Sequence, residues 1–191
     1  MRIMDDRYSR DRFRLELALR FLHHEARTQT IRVWTGLTDD RIRKLYRSYT
    51  SRGSGHAPRH RGKSPHQIAY FTRSGRLQQE TTVLASLLCL LGVMPDRSAV
   101  ESGQAVPGIA RGELLCHAFE AYRALIPSSQ ISFEHAVFLT LTLARGDQLR
   151  LDGCRDCGGL VVVERFPLRD PRCHHCAGLT HARSSGRTER I

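Results

Sequence analysis

Gly153-Cys154-Arg155-Asp156-Cys157-Gly158-Gly159-Leu160-Val161-Val162-Val163, followed by Cys173-His174-His175-Cys176, decides how the carboxy-terminal part of this chain folds. Two Cys-x-x-Cys pairs flank residues 158–172. The two-residue gap lets both thiolates of a pair converge on one ion, and a linker of this length forms a hairpin that returns the second pair to complete a tetrahedron. Gly158 and Gly159 permit the tight turn of a metal knuckle, and Leu160 to Val163 supply a β-branched strand leading away. The run from Phe166 to Arg172, with Pro167 and Pro171, brings the chain back.

Two disulfides or a redox site can use the same four cysteines. The chain shows no apolar signal segment, so a cytoplasmic location is expected, where thiols stay reduced and a metal site is favoured. Four thiolates close the shell of a zinc ion, which points to one structural zinc held by Cys154, Cys157, Cys173 and Cys176 rather than to a catalytic metal. His174 and His175 are alternative ligands, but inside the second pair their rings compete awkwardly with thiolates.

Upstream the periodicity is helical, and the whole reads as mainly α. Residues 1–148 form a helical body, 149–180 a small zinc-ribbon-like module, and 181–191 a polar tail expected to be disordered. Ser9 to Arg27 carries a broad apolar face at Phe13, Leu15, Leu17, Leu19, Phe21 and Leu22. Thr28 to Trp34 continues helically until Gly36, and Thr38-Asp39-Asp40 starts a helix to about Tyr49. Leu77 to Met94 reads as a buried helix with Leu84, Leu87, Leu88 and Leu91 on one stripe, ended by Pro95. Asp96 to Arg111 reads as loop. Helices follow at Glu113 to Leu125 and at Phe133 to Arg145, the latter capped by Ser132. Cys89 and Cys116, in apolar helical settings, read as small buried hydrophobes. The longest apolar run, Val83 to Val93, is too short to span a bilayer.

Thirty basic residues against nineteen acidic ones give a formal charge of +11, and almost all the basic residues are arginine. An acidic partner is implied, with nucleic acid first because the guanidinium fork suits phosphate and guanine edges. Ile31, Leu37, Ile42 and Leu45 surround Gly36 with the spacing of a helix-turn-helix-like segment over about residues 26–50. In that geometry Arg41, Arg43, Lys44, Arg47 and Ser48 lie on the outer faces of the second helix, available to bases and phosphates. Residues 52–65 form a basic linker in which Arg59, Arg61 and Lys63 can follow a sugar-phosphate backbone. An ordinary helical hairpin with solvated arginines fits the same spacing. Arg32 stands where a small residue normally lets two such helices approach, and Asp39-Asp40 would be repelled by phosphate.

Ala26-Arg27-Thr28-Gln29, Gly36-Leu37-Thr38, Arg41-Ile42-Arg43-Lys44-Leu45-Tyr46, Arg52-Gly53, Gly62-Lys63-Ser64-Pro65, Ala121-Tyr122-Arg123 and the cysteine frame follow one another along the chain. In this order they resemble FlhC, the flagellar master transcriptional regulator subunit, from about Asp11 to Leu179. The resemblance implies a helical protein with a four-cysteine zinc module and no catalytic activity. It also implies pairing with an FlhD-like subunit in a hetero-oligomer, a heterohexamer in the family. That complex binds promoter DNA upstream of flagellar operons and recruits RNA polymerase. The arginine-rich amino-terminal region and short tail depart from the better-known members, so a regulator of non-flagellar genes fits as well. A zinc-stabilised protein-interaction scaffold is the alternative of another class. A nucleic-acid enzyme finds little support: no paired carboxylates, nucleophile with a base or phosphate-cradling glycine loop stands out.

Overall fold

A computed structural model describes residues 2–52, 63–94, 107–167 and 170–178. The chain is mainly helical, with one two-stranded sheet among the described residues. Helix α1 spans Arg2–His23, α2 Thr28–Thr35, α3 Asp39–Arg52, α4 Ala69–Thr72, α5 Gly75–Leu90, α6 Ile109–Leu125 and α7 Phe133–Arg145. Strands β1 (Leu149–Gly153) and β2 (Leu160–Glu164) pair antiparallel with Leu151 opposite Val162. A short helix covers residues 174–178.

Aromatic rings from distant parts of the chain meet at the centre. Phe133 opens α7 and packs edge-on against Phe21 of α1 at 4.9 Å and Phe119 of α6 at 5.3 Å, while the His24 ring stacks on it at 5.0 Å. Phe21 also meets Trp34 of α2 at 6.0 Å. Burying each of these side chains contributes roughly 1.5–3 kcal/mol. The apolar face of α1 is narrower than its sequence suggests. Leu17, Ala18, Phe21 and Leu22 are buried, whereas Phe13 and Leu19 are exposed. The helix also ends before Arg27, because Glu25 takes a positive φ of 60°.

Helix α5 stops at Leu90, short of the expected Met94. Gly92 adopts the left-handed conformation (φ 71°) and Val93 N–H returns to Leu88 O, so the glycine ends the helix before Pro95 is reached. Leu91 consequently leaves the buried stripe on which Leu84 and Leu88 remain. Cys116 is buried as expected. Cys89 is exposed instead, since its position on α5 faces away from the core. Helix α6 begins at Ile109, inside the stretch expected to be loop, and Gly112 lets it approach α1: a Cβ there would lie 2.6 Å from Leu17 Cδ2. Helix α7 matches its expected bounds, with Ser132 Oγ accepting from His135 N–H and Gly146 in the left-handed conformation after its end.

Polar side chains tie these helices together. Glu80 of α5 accepts from Arg76 Nε at 2.8 Å and from Ser129 Oγ at 2.8 Å, and Tyr122 OH of α6 bonds the same serine. Arg20 of α1 donates to Glu113 and Glu120 of α6, each at 2.6 Å. The hairpin joins the same core. Leu149 and Val162 belong to the buried cluster of the helices. Val162 N–H donates to Thr82 Oγ1 at 3.1 Å, and Gln78 Nε2 donates to Val162 O at 3.1 Å, so side chains one turn apart on α5 cover that edge of β2.

Candidate metal centre and basic helix

The β1–β2 turn is a cysteine knuckle. Cys154 N–H donates to Gly159 O at 2.7 Å and Gly158 N–H to Cys154 O at 2.8 Å, which closes the loop around both thiols of the first pair. Gly158 has φ 72°, the left-handed conformation that a side chain would strain, as the glycine pair in the sequence anticipates. The chain then returns, and Arg155 N–H donates to Pro171 O at 2.9 Å, placing the second pair alongside the first. Cys173 leads directly into helix 174–178, whose turn brings Cys176 back onto the cluster, with Ala177 N–H bonded to Cys173 O at 3.0 Å.

All four Sγ atoms lie within 4.8 Å of one another, an arrangement able to hold a metal ion. Cys157 and Cys173 Sγ stand 3.8 Å apart, far beyond the ~2.05 Å of a disulfide. Cys173 N–H points at Cys154 Sγ (3.3 Å). This backbone group, with a further one from Cys157, pulls the Cys154 thiol down to about 6, so a thiolate is favoured at neutral pH. Hydrogen bonds to Cys173 and Cys157 push the Cys176 thiol up instead, as expected where several sulfurs share one small volume. Both histidines stand outside this group of ligand atoms. The His174 ring packs against Gly75 at the start of α5, at a point where any Cβ would overlap it. Arg172 pairs with Asp156 at 3.3 Å and Arg155 with Asp170, so two exposed ion pairs cross-link the knuckles outside the thiols.

The amino-terminal motif is two helices joined by a tight turn. Gly36 takes φ 70° and its N–H caps α2 on Arg32 O. Thr35 Oγ1 donates to Ile31 O at 2.6 Å and accepts from Leu37 N–H at 3.2 Å, stitching the turn to the helix it leaves. Ile31, Trp34, Leu37 and Ile42 are buried, and Leu45 and Tyr46 are half-buried, so α3 is held by one face. Arg41, Arg43, Lys44, Arg47 and Ser48 are all exposed. Arg41 reaches back to Asp11 of α1 at 3.4 Å, Arg43 pairs with Asp40 at 3.2 Å, and Ser48 Oγ donates to Leu45 O. Arg32 causes no crowding, because its guanidinium points outward to Gln29 (2.6 Å) and Asp39 (3.8 Å). Asp39 and Asp40 thus each stand beside an arginine at the start of α3.

Lys63 is exposed and lines a cavity that Arg27, at the amino-terminal end of α2, also lines, and none of the five α3 residues lines it. Arg59 and Arg61 fall outside the described residues, as does the expected tail. Sequence reading missed Glu134, which is 7% exposed and accepts from Arg27 N–H at 2.8 Å and Thr30 Oγ1 at 3.0 Å. It caps α2 from the first turn of α7. Its local sequence, two residues after Ser132, signals only that it suits its own helix start. The chain matches no family model and no curated protein.

Proposed function

We propose that this chain is a DNA-binding transcriptional activator subunit, working in the cytoplasm with an FlhD-like partner and braced by one structural zinc ion. The observation that carries this reading is the row of exposed Arg41, Arg43, Lys44 and Arg47 on a helix whose other face is locked by Ile42 behind the Gly36 turn. A fixed helix with a basic outer side suits phosphate contacts and the major groove, and the formal charge of +11 draws the whole chain toward polyanions. Promoters of flagellar operons and recruitment of RNA polymerase follow from the sequence resemblance. No catalytic step is assigned to the chain.

The same reading gives the thiols their metal. Zinc–sulfur bonds of ~2.3 Å in a tetrahedron set sulfurs about 3.8 Å apart. Cys157 and Cys173 stand at that spacing, and a four-sulfur donor set suits zinc. The ion would fix the hairpin and the return segment to each other.

Replacing Arg43, Lys44 and Arg47 together with alanine is expected to weaken binding of promoter duplex by the complex. The slope of log K against log salt should shrink by roughly 0.9 for each lost phosphate contact. Titrating labelled duplex at several salt concentrations measures both. An unchanged affinity and slope would remove α3 from the interface. Partner binding without preference for any DNA would favour the scaffold alternative. Elemental analysis should return one zinc per chain, and none in Cys154→Ser.

A further inference from the structure

We propose that Cys157 and Cys173 are a peroxide-modification site, where a hydroperoxide joins the two cysteine knuckles by a disulfide. The four thiols of the cluster are not equivalent. Cys157 is exposed and Cys173 half-buried, whereas Cys154 and Cys176 are buried. Gly159 also leaves Cys157 open, since a Cβ there would stand 3.4 Å from its sulfur. An oxidant arriving from solvent therefore meets Cys157 first, and oxidation-sensitive cysteines are accessible ones with a second thiol beside them. Geometry selects that second thiol. Cys173 Sγ stands 3.8 Å from Cys157 Sγ, so the sulfurs have to close by about 1.8 Å to reach the ~2.05 Å of a disulfide. Contacts that involve no sulfur keep the knuckles together meanwhile: Arg155 N–H on Pro171 O at 2.9 Å, and the ion pairs of Arg172 with Asp156 and of Arg155 with Asp170. A bond within either Cys-x-x-Cys pair would instead need a buried thiol, Cys154 or Cys176.

The chemistry balances with hydrogen peroxide as the oxidant. The Cys157 thiolate attacks one peroxide oxygen, the O–O bond breaks, and a sulfenic acid and a hydroxide result. The Cys173 thiolate then attacks the Cys157 sulfur. The S–S bond forms as the S–O bond breaks, and a second hydroxide leaves. The two sulfurs together lose two electrons, and two protons from solvent turn the hydroxides into water. A thiol reductant runs the exchange backwards and restores both thiols. The cross-link follows from the placement of the thiols alone, while its effect on a metal rests on the zinc reading given above. Once joined, Cys157 and Cys173 no longer offer thiolates, and Cys154 and Cys176 supply only half of a four-coordinate shell. Oxidation thus releases the ion.

The test uses the full chain with Cys89→Ser, which removes the exposed thiol outside the cluster. Its zinc content is determined first by elemental analysis. Hydrogen peroxide is then added, with dimedone in a parallel sample to trap sulfenic acid, and the remaining thiols are alkylated. Trypsin cleaves after Arg155 and Arg172, so Cys154, Cys157 and the second pair fall on separate peptides, and fragmentation tells Cys173 from Cys176. The first cross-link should join Cys157 to Cys173, and dimedone should mark Cys157 before any other cysteine. A chromogenic chelator should register one zinc freed per disulfide, and dithiothreitol with added zinc should reverse both changes. A first cross-link from Cys154 to Cys157 or from Cys173 to Cys176, or no cross-link at all, overturns the proposal. The zinc reading fails separately: a chain that holds no zinc before oxidation yet forms the Cys157–Cys173 bond discards the metal and keeps the site.

Discussion

Glu120 shows how much one side chain can link. It receives two hydrogen bonds from Arg20 and one from His24, so it joins α1 to α6 at a point where neither helix is apolar. The Arg20 guanidinium holds its carboxyl down at about 2, below the usual carboxylate range. A group depressed on folding stabilises the native state above its unfolded value and loses that contribution as pH falls through the folded one. Stability should therefore decline between about pH 4.5 and pH 2. Because the carboxylate is 42% exposed, screening reduces its share to about 1 kcal/mol. Glu120→Gln is expected to lose that amount at neutral pH and to flatten the acid slope, as read from urea midpoints across the range. At this scale the sequence was readable wherever geometry is local. Gly36, Gly158 and Ser132 each do what their neighbours imply, and the cysteine spacing placed four thiols together. Cys89 was misread because an apolar neighbourhood along the chain does not say which side of the helix a residue occupies.

At the scale of elements, α5 holds the molecule's two halves. One side carries Leu84 and Leu88 into the helical core, and another presents Gln78 and Thr82 to the hairpin. Its Glu80 meets Ser129 in the connection between α6 and α7, and through that serine meets Tyr122. Burial pushes the Tyr122 hydroxyl up to about 12, so it remains a neutral hydrogen-bonding group. Ser129→Ala would leave a buried carboxylate one donor short and the tyrosine hydroxyl without its partner. A loss of about 1–3 kcal/mol is expected, measurable as a lower urea midpoint with an unchanged slope. The bounds of α7 were legible because a serine cap and a terminal glycine bracket it. The end of α5 was not, since two stop signals compete there and the sequence does not rank Gly92 against Pro95. The Glu80 network was invisible for a different reason: its members are joined by the packing of helices, which no local pattern encodes.

For the whole molecule, the thiol cluster and the helical core are mechanically continuous. His174 rests on Gly75 at the first turn of α5, while Leu149 and Val162 enter the central cluster. Stripping the proposed zinc with a chelator should therefore do more than loosen residues 149–178. Hydrogen exchange is expected to accelerate there and also at the start of α5, while α2 and α3, packed on α1 instead, keep their protection. Protection lost uniformly across the chain would show that the metal site governs global stability. The mainly helical class and the cysteine frame could be read in advance, because periodicity and spacing report them directly. The docking of α2 on Glu134 could not, because Glu134 lies 104 residues from Thr30 along the chain and meets it only through packing.

The side-chain cover on β2 has a consequence for engineering. Gln78 and Thr82 act as a substitute third strand, so the hairpin is not a portable cassette. Cut out or grafted elsewhere with its cysteines intact, it would bind metal yet bare a valine-rich edge, and copies would pair along it. A transplant that carries the first turns of α5 with it should stay monomeric.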